Sequence, residues 1–322
     1  MKRVIVLLLF WGFVCHAYSQ NNKQVAYMTI EEMIDSTLRF VQHYDYEPIY
    51  TAKIESSASF IIKTNDVPVG AYFGPAAGAS IFHLNKAILK SGMQEMSIEI
   101  YPEYADKTIQ KKALNNRVQL KLTIIKRYKT KNLGISEPEI VAIFDLQEQL
   151  KRYGISLSSK EVYRDTLRFD AEVLYALTGW TKSEDLTKID REELKERVVA
   201  FYTRHHSFYQ GKDSEGIIRT EFKRTQETSQ TAYESKEKIA TEKSFLDTFF
   251  SEIKYEMIPL ENYEMQFFGN GRMVALIRTD GRNRGASALR YKATSNKGSK
   301  RLSWVDLLLH IPEGSSELEV IR

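Results

Sequence analysis

RVQLKLTI, Arg117–Ile124, alternates polar and apolar residues at every step. Arg117, Gln119, Lys121 and Thr123 fall on one side, and Val118, Leu120, Leu122 and Ile124 on the other. A period of two gives one wet and one dry face only in an extended strand. The stretch decides the fold class because the same period recurs on both sides of it. Upstream it marks Ser59–Ile62, Ala79–Leu84 and Met96–Ile100. Downstream it marks Leu167–Tyr175, with a short apolar run at Ile140–Phe144 between. Short alternating strands divided by turn residues predict an antiparallel β-sandwich that begins near Thr51 and ends near Gly179-Trp180. A leading helix is expected over Met28–His43, where Thr29 and Glu32 form a capping-box pair and Ile30, Met33, Ile34, Leu38 and Val41 recur at helical spacing.

Beyond Trp180 the pattern changes. Thr181–Ile189 is polar and reads as a linker. Asp190 is placed to cap a helix running to about Tyr209, with Leu194, Val198, Phe201, Tyr202 and His205 on one face and Gly211 ending it. Ile217–Ile253 favours helix and predicts two, with Arg224–Glu242 so polar that it reads as a solvated helix or a connection. Asn270-Gly271 between apolar runs is a hairpin signal. It opens an expected meander through Ala286–Ala293, Leu302–Ile311 and Leu318–Ile321. The fold class expected is therefore α+β: residues 20–180 a helix plus β-sandwich domain, residues 181–322 helices packed on an antiparallel meander.

The N-terminus carries Lys2 and Arg3, an apolar run from Val4 to Val14, then Ala17 and Ser19 three residues and one residue before a cut. This is signal-peptide layout and predicts cleavage between Ser19 and Gln20, with export to the periplasm. The single cysteine, Cys15, then leaves with residues 1–19; bulky Phe13-Val14 before it disfavour a lipoprotein anchor. A mature chain without cysteine has no disulfide and no thiol chemistry. An apolar content of 43% suits an ordinary folded core, and the formal charge of +4 falls to +2 without Lys2 and Arg3, which points to no nucleic-acid partner. No transmembrane segment is expected in the mature chain.

Ser59–Pro102, SFIIKTNDVPVGAYFGPAAGASIFHLNKAILKSGMQEMSIEIYP, resembles the galactose-binding-like jelly roll that accompanies glycosidase catalytic domains. The likeness lies in the Asn65-Asp66 turn, Val69-Gly70, the small-residue loop and the strand Met96–Ile100. Asp66 stands where that family usually has glycine. The resemblance implies a scaffold or a glycan-binding module, with Tyr72, Phe73 and Tyr101 as the aromatic candidates. The half from Asp190 to Arg322 is similar in element order to NTF2-like domains, which implies helices against a curved sheet and a pocket.

Candidate site residues are few. His205-His206 lacks the i,i+4 spacing of helical metal sites, and no metal or cofactor is expected. Trp304, Asp306 and His310, with Leu308, share one face of an expected strand over Leu302–Ile311 and are candidates for a pocket or surface lining. Asp306 and His310 are four apart on that strand, ~13 Å, so each needs partners from elsewhere for acid–base work. Two stretches are basic: Lys107–Lys131 holds no acid, and Arg272–Arg301 holds only Asp280. In the second, Arg272, Arg278, Arg290 and Lys292 are candidates for an anion-binding surface. Gly74–Gly78 is not a phosphate loop, since no Gly-Lys-Ser/Thr follows it. These readings predict an exported, non-enzymatic binding or accessory protein of the bacterial cell envelope, whose partner is another envelope protein or an anionic or glycan ligand. Alternatives are a pocket enzyme on the NTF2-like half, a glycan-binding module and an immunity protein against a toxin.

Overall fold

The structure, a computed structural model, describes residues 28–75, 77–106, 108–130, 134–294 and 298–322. The expected signal peptide, its cleavage point and Cys15 lie outside the described residues, as do Lys107, Lys131 and Lys297. The chain is a mixed α+β fold with all its strands in antiparallel sheets.

Helix α1, Ile30–Phe40, starts as the sequence predicts: Thr29 Oγ1 accepts from Glu32 N–H, and the Glu32 carboxylate accepts from Thr29 N–H. Nine strands follow: β1 Tyr46–Ser56, β2 Ser59–Thr64, β3 Val67–Tyr72, β4 Ala77–His83, β5 Gly92–Tyr101, β6 Leu120–Thr130, β7 Gly134–Ile135, β8 Glu139–Asp145 and β9 Tyr163–Ala171. Helix α2, Leu146–Tyr153, lies between β8 and β9. One sheet runs β4-β1-β6, with β7 and β8 both pairing β6, and another runs β3-β2-β5-β9. Their inward residues meet in one cluster. Ile54 and Ile124 come from the first sheet and Ile62 and Ile98 from the second, all 0% exposed. Burying each such side chain contributes about 1.5–3 kcal/mol. The β2–β3 hairpin turns on Asn65 and Asp66 at φ 51° and 58°, the left-handed pair of a type I′ turn. Asp66 thus adopts the conformation that glycine would, and its carboxylate and carbonyl take the N–H groups of Asn270 and Gly269.

The second half supplies helices α3 Arg191–Gly211, α4 Ser214–Ala232, α5 Lys236–Ala240 and α6 Glu242–Glu252. Asp190 caps α3 by accepting from Glu192 and Glu193 N–H. Strands β10 Lys254–Ile258, β11 Tyr263–Phe268, β12 Met273–Arg278, β13 Arg290–Thr294, β14 Lys300–Trp304, β15 Leu309–His310 and β16 Glu319–Val320 complete the chain. The single meander is not formed. The strands divide into β10-β13-β14 and β11-β12-β15-β16. The expected strand Leu302–Ile311 is broken at 305–308, where the chain leaves one sheet for the other. The space between α3 and these sheets is filled by Leu194, Val198, Tyr202, Val274, Leu276, Leu289, Leu307 and Leu309.

Arg224–Glu242 is neither a solvated helix nor a loose connection. It forms the end of α4, all of α5 and the start of α6, and Glu227, Ser229, Gln230 and Thr231 are buried. Polar residues survive burial when each finds a partner. Gln230 exchanges two hydrogen bonds with the backbone of Gln42, and Ser229 donates to Glu234. Glu227 takes Arg322 and Lys223 at 2.8 and 3.1 Å. Helix α1 lies against α4 through Ile30, Met33, Ile218 and Phe222. Side chains from beyond residue 180, among them Tyr233, Phe268, Met273, Leu308 and Ile321, pack into the first cluster.

Candidate functional site

Helices α3 to α6 enclose a cleft of about 390 Å³, lined by Tyr209, Ile217, Ile218, Glu221, Arg224, Thr225, Thr228, Ser229, Glu234, Lys238, Ile239, Thr241, Glu242, Phe245 and Leu246. Its apolar wall comes from the core-facing stripe of α4 together with Ile239 of α5 and Phe245 and Leu246 of α6. Phe245 is 69% exposed, although it belongs to this wall.

At the inner end lies a charged chain. His205, 0% exposed, stands 2.7 Å by Nε2 from Glu221 Oε1. Phe201, Phe208 and Tyr209 pack around its ring at 6.4, 5.9 and 5.6 Å. Burial, then the nearby Arg224 and Arg204, push its pKa down to about 3. The imidazole is therefore neutral at pH 7, and its Nε2–H donates to the carboxylate. Arg224 forms an ion pair with the other Glu221 oxygen and donates by Nη1 to the carbonyl of Asp306 at 2.6 Å. The Glu221 carboxylate is thus held from both sides.

Nearer the mouth, Glu234 pairs with Lys238. Glu242 is different. Its carboxylate accepts one hydrogen bond, from Thr225 Oγ1 at 3.3 Å, and among the described residues no cation stands within ion-pairing distance. Burial raises its pKa above the usual carboxylate range, against the hydrogen bond from Thr225 and the field of Arg224.

A second cleft, about 650 Å³, opens across Glu234 and Lys238 between the rim of β1 and β6 and the end of α4. Here His43 Nδ1 lies 2.8 Å from Glu47, and Lys129 Nζ donates to the carbonyls of Ala232 and Tyr233 at 2.6 and 3.2 Å. A cation on the last carbonyls of α4 offsets the negative end of that helix. His43, Asp45 and Glu47 alternate in sequence, but no group of three such residues is placed to hold a metal among the described residues.

The residues singled out in the sequence are scattered. Trp304, at the end of β14, is 45% exposed, and Asp306 is exposed too. His310 and Leu308 are buried at 4% and 5%. The four do not share a face, because the strand assumed for them breaks between Trp304 and Leu309. His310 Nδ1 meets Ser183 Oγ at 2.7 Å and lines neither cleft. Three of the four residues expected to form an anion-binding surface are engaged within the chain. Arg278 and Arg290 are each 5% exposed and are paired with Glu261, Arg278 also with Asp280. Arg272 donates to the Ser183 carbonyl, which leaves exposed Lys292 alone of the four. Tyr72, Phe73 and Tyr101 form no exposed row. Phe73 and Tyr101 are buried, with the Arg284 guanidinium 5.2 and 4.5 Å from their ring centres.

Sequence reading missed the cleft because its members are spread over four helices. The one usable signal was His205 on the buried face of α3, which requires a polar partner from another helix. Among the described residues no helix is long and apolar enough to cross a membrane. The chain matches no family model, no curated protein and no solved structure.

Proposed function

We propose that this is an exported binding or accessory protein of the bacterial cell envelope that holds a small ligand in the cleft between α3 and α6, without acting on it chemically. In this reading residues 1–19 are a cleaved signal peptide and the mature chain is periplasmic. Residues 20–180 are a jelly-roll-like sandwich with a leading helix, and residues 181–322 an NTF2-like arrangement that has moved its cavity from the sheet to the helices. The observation that carries the reading is the prior commitment of four of the cleft's five charged groups. Glu221 is bound on both sides by His205 and Arg224, and Glu234 by Lys238. Groups locked in this way fix the orientation of a ligand, as binding sites require. His205 has its one hydrogen bond to Glu221 and stands behind it, out of reach of anything in the cleft.

A specific observation favours a second reading, a partner protein. Ile81, Ile143 and Ile140 are 64%, 48% and 61% exposed. Register places Ile81 and Ile143 in one cross-strand row through Lys53 and Thr123, with Ile140 opposite Ile125 beside it. Ile140 and Ile143 adjoin on β8, with Ile81 across Lys53 and Thr123 on the same face, and exposed apolar residues grouped on a sheet face mark interaction surfaces.

Native mass spectrometry of protein released gently from its own envelope tests both. The expected result is a chain beginning at Gln20 that carries a small-molecule mass adduct, lost when Thr228→Phe fills the cleft. A co-purifying protein would favour the second reading. A chain with no adduct and no partner would refute both.

A further inference from the structure

We propose that the helical cleft takes a monocationic amphiphile, an ammonium group on an apolar body, with the ammonium seated on Glu242; this rests on the binding reading above and names its ligand class. The argument is one of charge, space and surface. Four of the five charged groups in the cleft cancel in pairs, Glu221 with Arg224 and Glu234 with Lys238. Glu242 remains, with only the 3.3 Å hydrogen bond from Thr225. A half-desolvated carboxylate with free acceptor positions is costly until a cation reaches it. The groups that face it are Arg224 and Thr225 of α4, Glu234 at the turn, and Lys238 of α5, and none of them is within ion-pairing range.

An anionic ligand fits poorly. To reach Arg224 it would have to displace Glu221, which would then keep only His205 as a buried partner. A neutral ligand leaves Glu242 as it is. An ammonium satisfies the carboxylate directly, and aromatic rings favour it further, since a ring face attracts a cation. Tyr209 and Phe245 both line the cleft. The exposed Phe245 ring and the isoleucines of α4 and α5 give the apolar body a surface to cover. At about 390 Å³ the cleft is at the small end of ligand sites, so the body is short.

Isothermal titration calorimetry on the mature chain with n-hexylammonium, 1-hexanol and hexanoate tests this. Hexylammonium should bind at least about tenfold more tightly than hexanol, a difference of about 1.4 kcal/mol, and hexanoate least of all. Glu242→Gln should bring hexylammonium down to the level of hexanol without changing hexanol. Thr228→Phe should abolish binding of both. Equal affinity of wild type for hexylammonium and hexanol overturns the ammonium assignment and leaves the binding cleft standing. Hexylammonium binding that survives Thr228→Phe also overturns it, since the amine then sits elsewhere. Failure of wild type to bind any of the three overturns this inference, and if the envelope-derived chain also carries no adduct, the binding reading falls with it.

Discussion

Glu227→Gln tests the polar centre of α4. The Glu227 carboxylate is 1% exposed, with Arg322 Nη1 at 2.8 Å, Lys223 Nζ at 3.1 Å and the Gly179 N–H at 3.3 Å. Burial works to raise its pKa, but Arg322 and Lys223 outweigh burial and hold the carboxyl below its usual range. Glutamine keeps the volume and one acceptor oxygen but removes the charge. Lys223 is 41% exposed and can turn to water; Arg322, 2% exposed and packed 5.4 Å from the Trp180 ring, cannot. An unpaired buried cation costs about 3–5 kcal/mol. At about 2–3 °C per kcal/mol, the melting temperature should fall by roughly 6–15 °C. Urea unfolding should show the same loss as a lower midpoint at unchanged slope. Because the folded pKa is depressed, the stabilisation is present above the unfolded value near 4.5 and is lost as pH falls through the folded value. The gap between wild type and variant should therefore hold from pH 7 to 5 and close below 4.5. The double replacement Glu227→Met with Arg322→Met removes both charges and should cost less than the two single replacements together, the remaining loss coming from the carbonyls of Lys86 and Ile321 and the Gly179 N–H left without partners. A single-variant loss under about 1 kcal/mol, or singles that simply add in the double variant, would refute the reasoning.

The histidines set a second pH window. His205 and His310 are held by burial at about 3 and about 4, below the unfolded value of 6.5. Stability from both is full above pH 6.5 and falls as the unfolded chain protonates, by about 2 kcal/mol each at pH 5; Glu242, held high, acts in the opposite sense. His205→Gln, which can still donate to Glu221, should remove about half of the histidine loss in pH-dependent urea melts. Gly271→Ala should cost about 1–3 kcal/mol by thermal unfolding, since φ is +82° and a Cβ would meet Thr187 Cγ2 at 2.7 Å. Trp304→Ala, at an exposed strand end, should change stability by less than about 0.5 kcal/mol and leave hexylammonium affinity in calorimetry unaltered.

The elements that were legible in the sequence share a property: their signal is local. Thr29 with Glu32, Asp190 before α3, and Asn270-Gly271 between β11 and β12 each satisfy backbone groups within a few residues, so spacing alone reveals them. The alternation around Arg117–Ile124 is likewise the register of one strand. What failed was long-range. Arg278 and Arg290 look like surface cations until Glu261 and Asp280 arrive from neighbouring loops. Arg224–Glu242 looks solvated until Gln42, Gly179 and Arg322 satisfy it from up to 188 residues away. Strand β1 over Tyr46–Ser56 was only half anticipated, because Pro48 and a buried Glu47 interrupt its apolar face. Helix α2 went unseen because eight residues carry too little periodicity. Polarity is a guide to exposure only where no partner from another element cancels it.

Ser183 and His310 show why residue types do not by themselves define a site. A hydroxyl 2.7 Å from an imidazole nitrogen has the spacing of a nucleophile and its base. Both residues are nearly inaccessible, 3% and 4% exposed, and burial lowers His310 to about 4, which makes it a weak base at neutral pH. Ser183 also bridges to Pro312 and takes Arg272 on its carbonyl, so the pair fastens the entry to α3 onto β15. The cleft between α3 and α6 has the reverse character, with space and an unpaired carboxylate but its imidazole hidden. A buried pair of this kind is judged by what its removal does. Ser183→Ala leaves His310 Nδ1 without its partner and should cost about 1–3 kcal/mol in urea unfolding, while hexylammonium affinity stays at the wild-type value. Loss of affinity without loss of stability would mean that Ser183 and His310 reach the ligand and that the two regions act as one site.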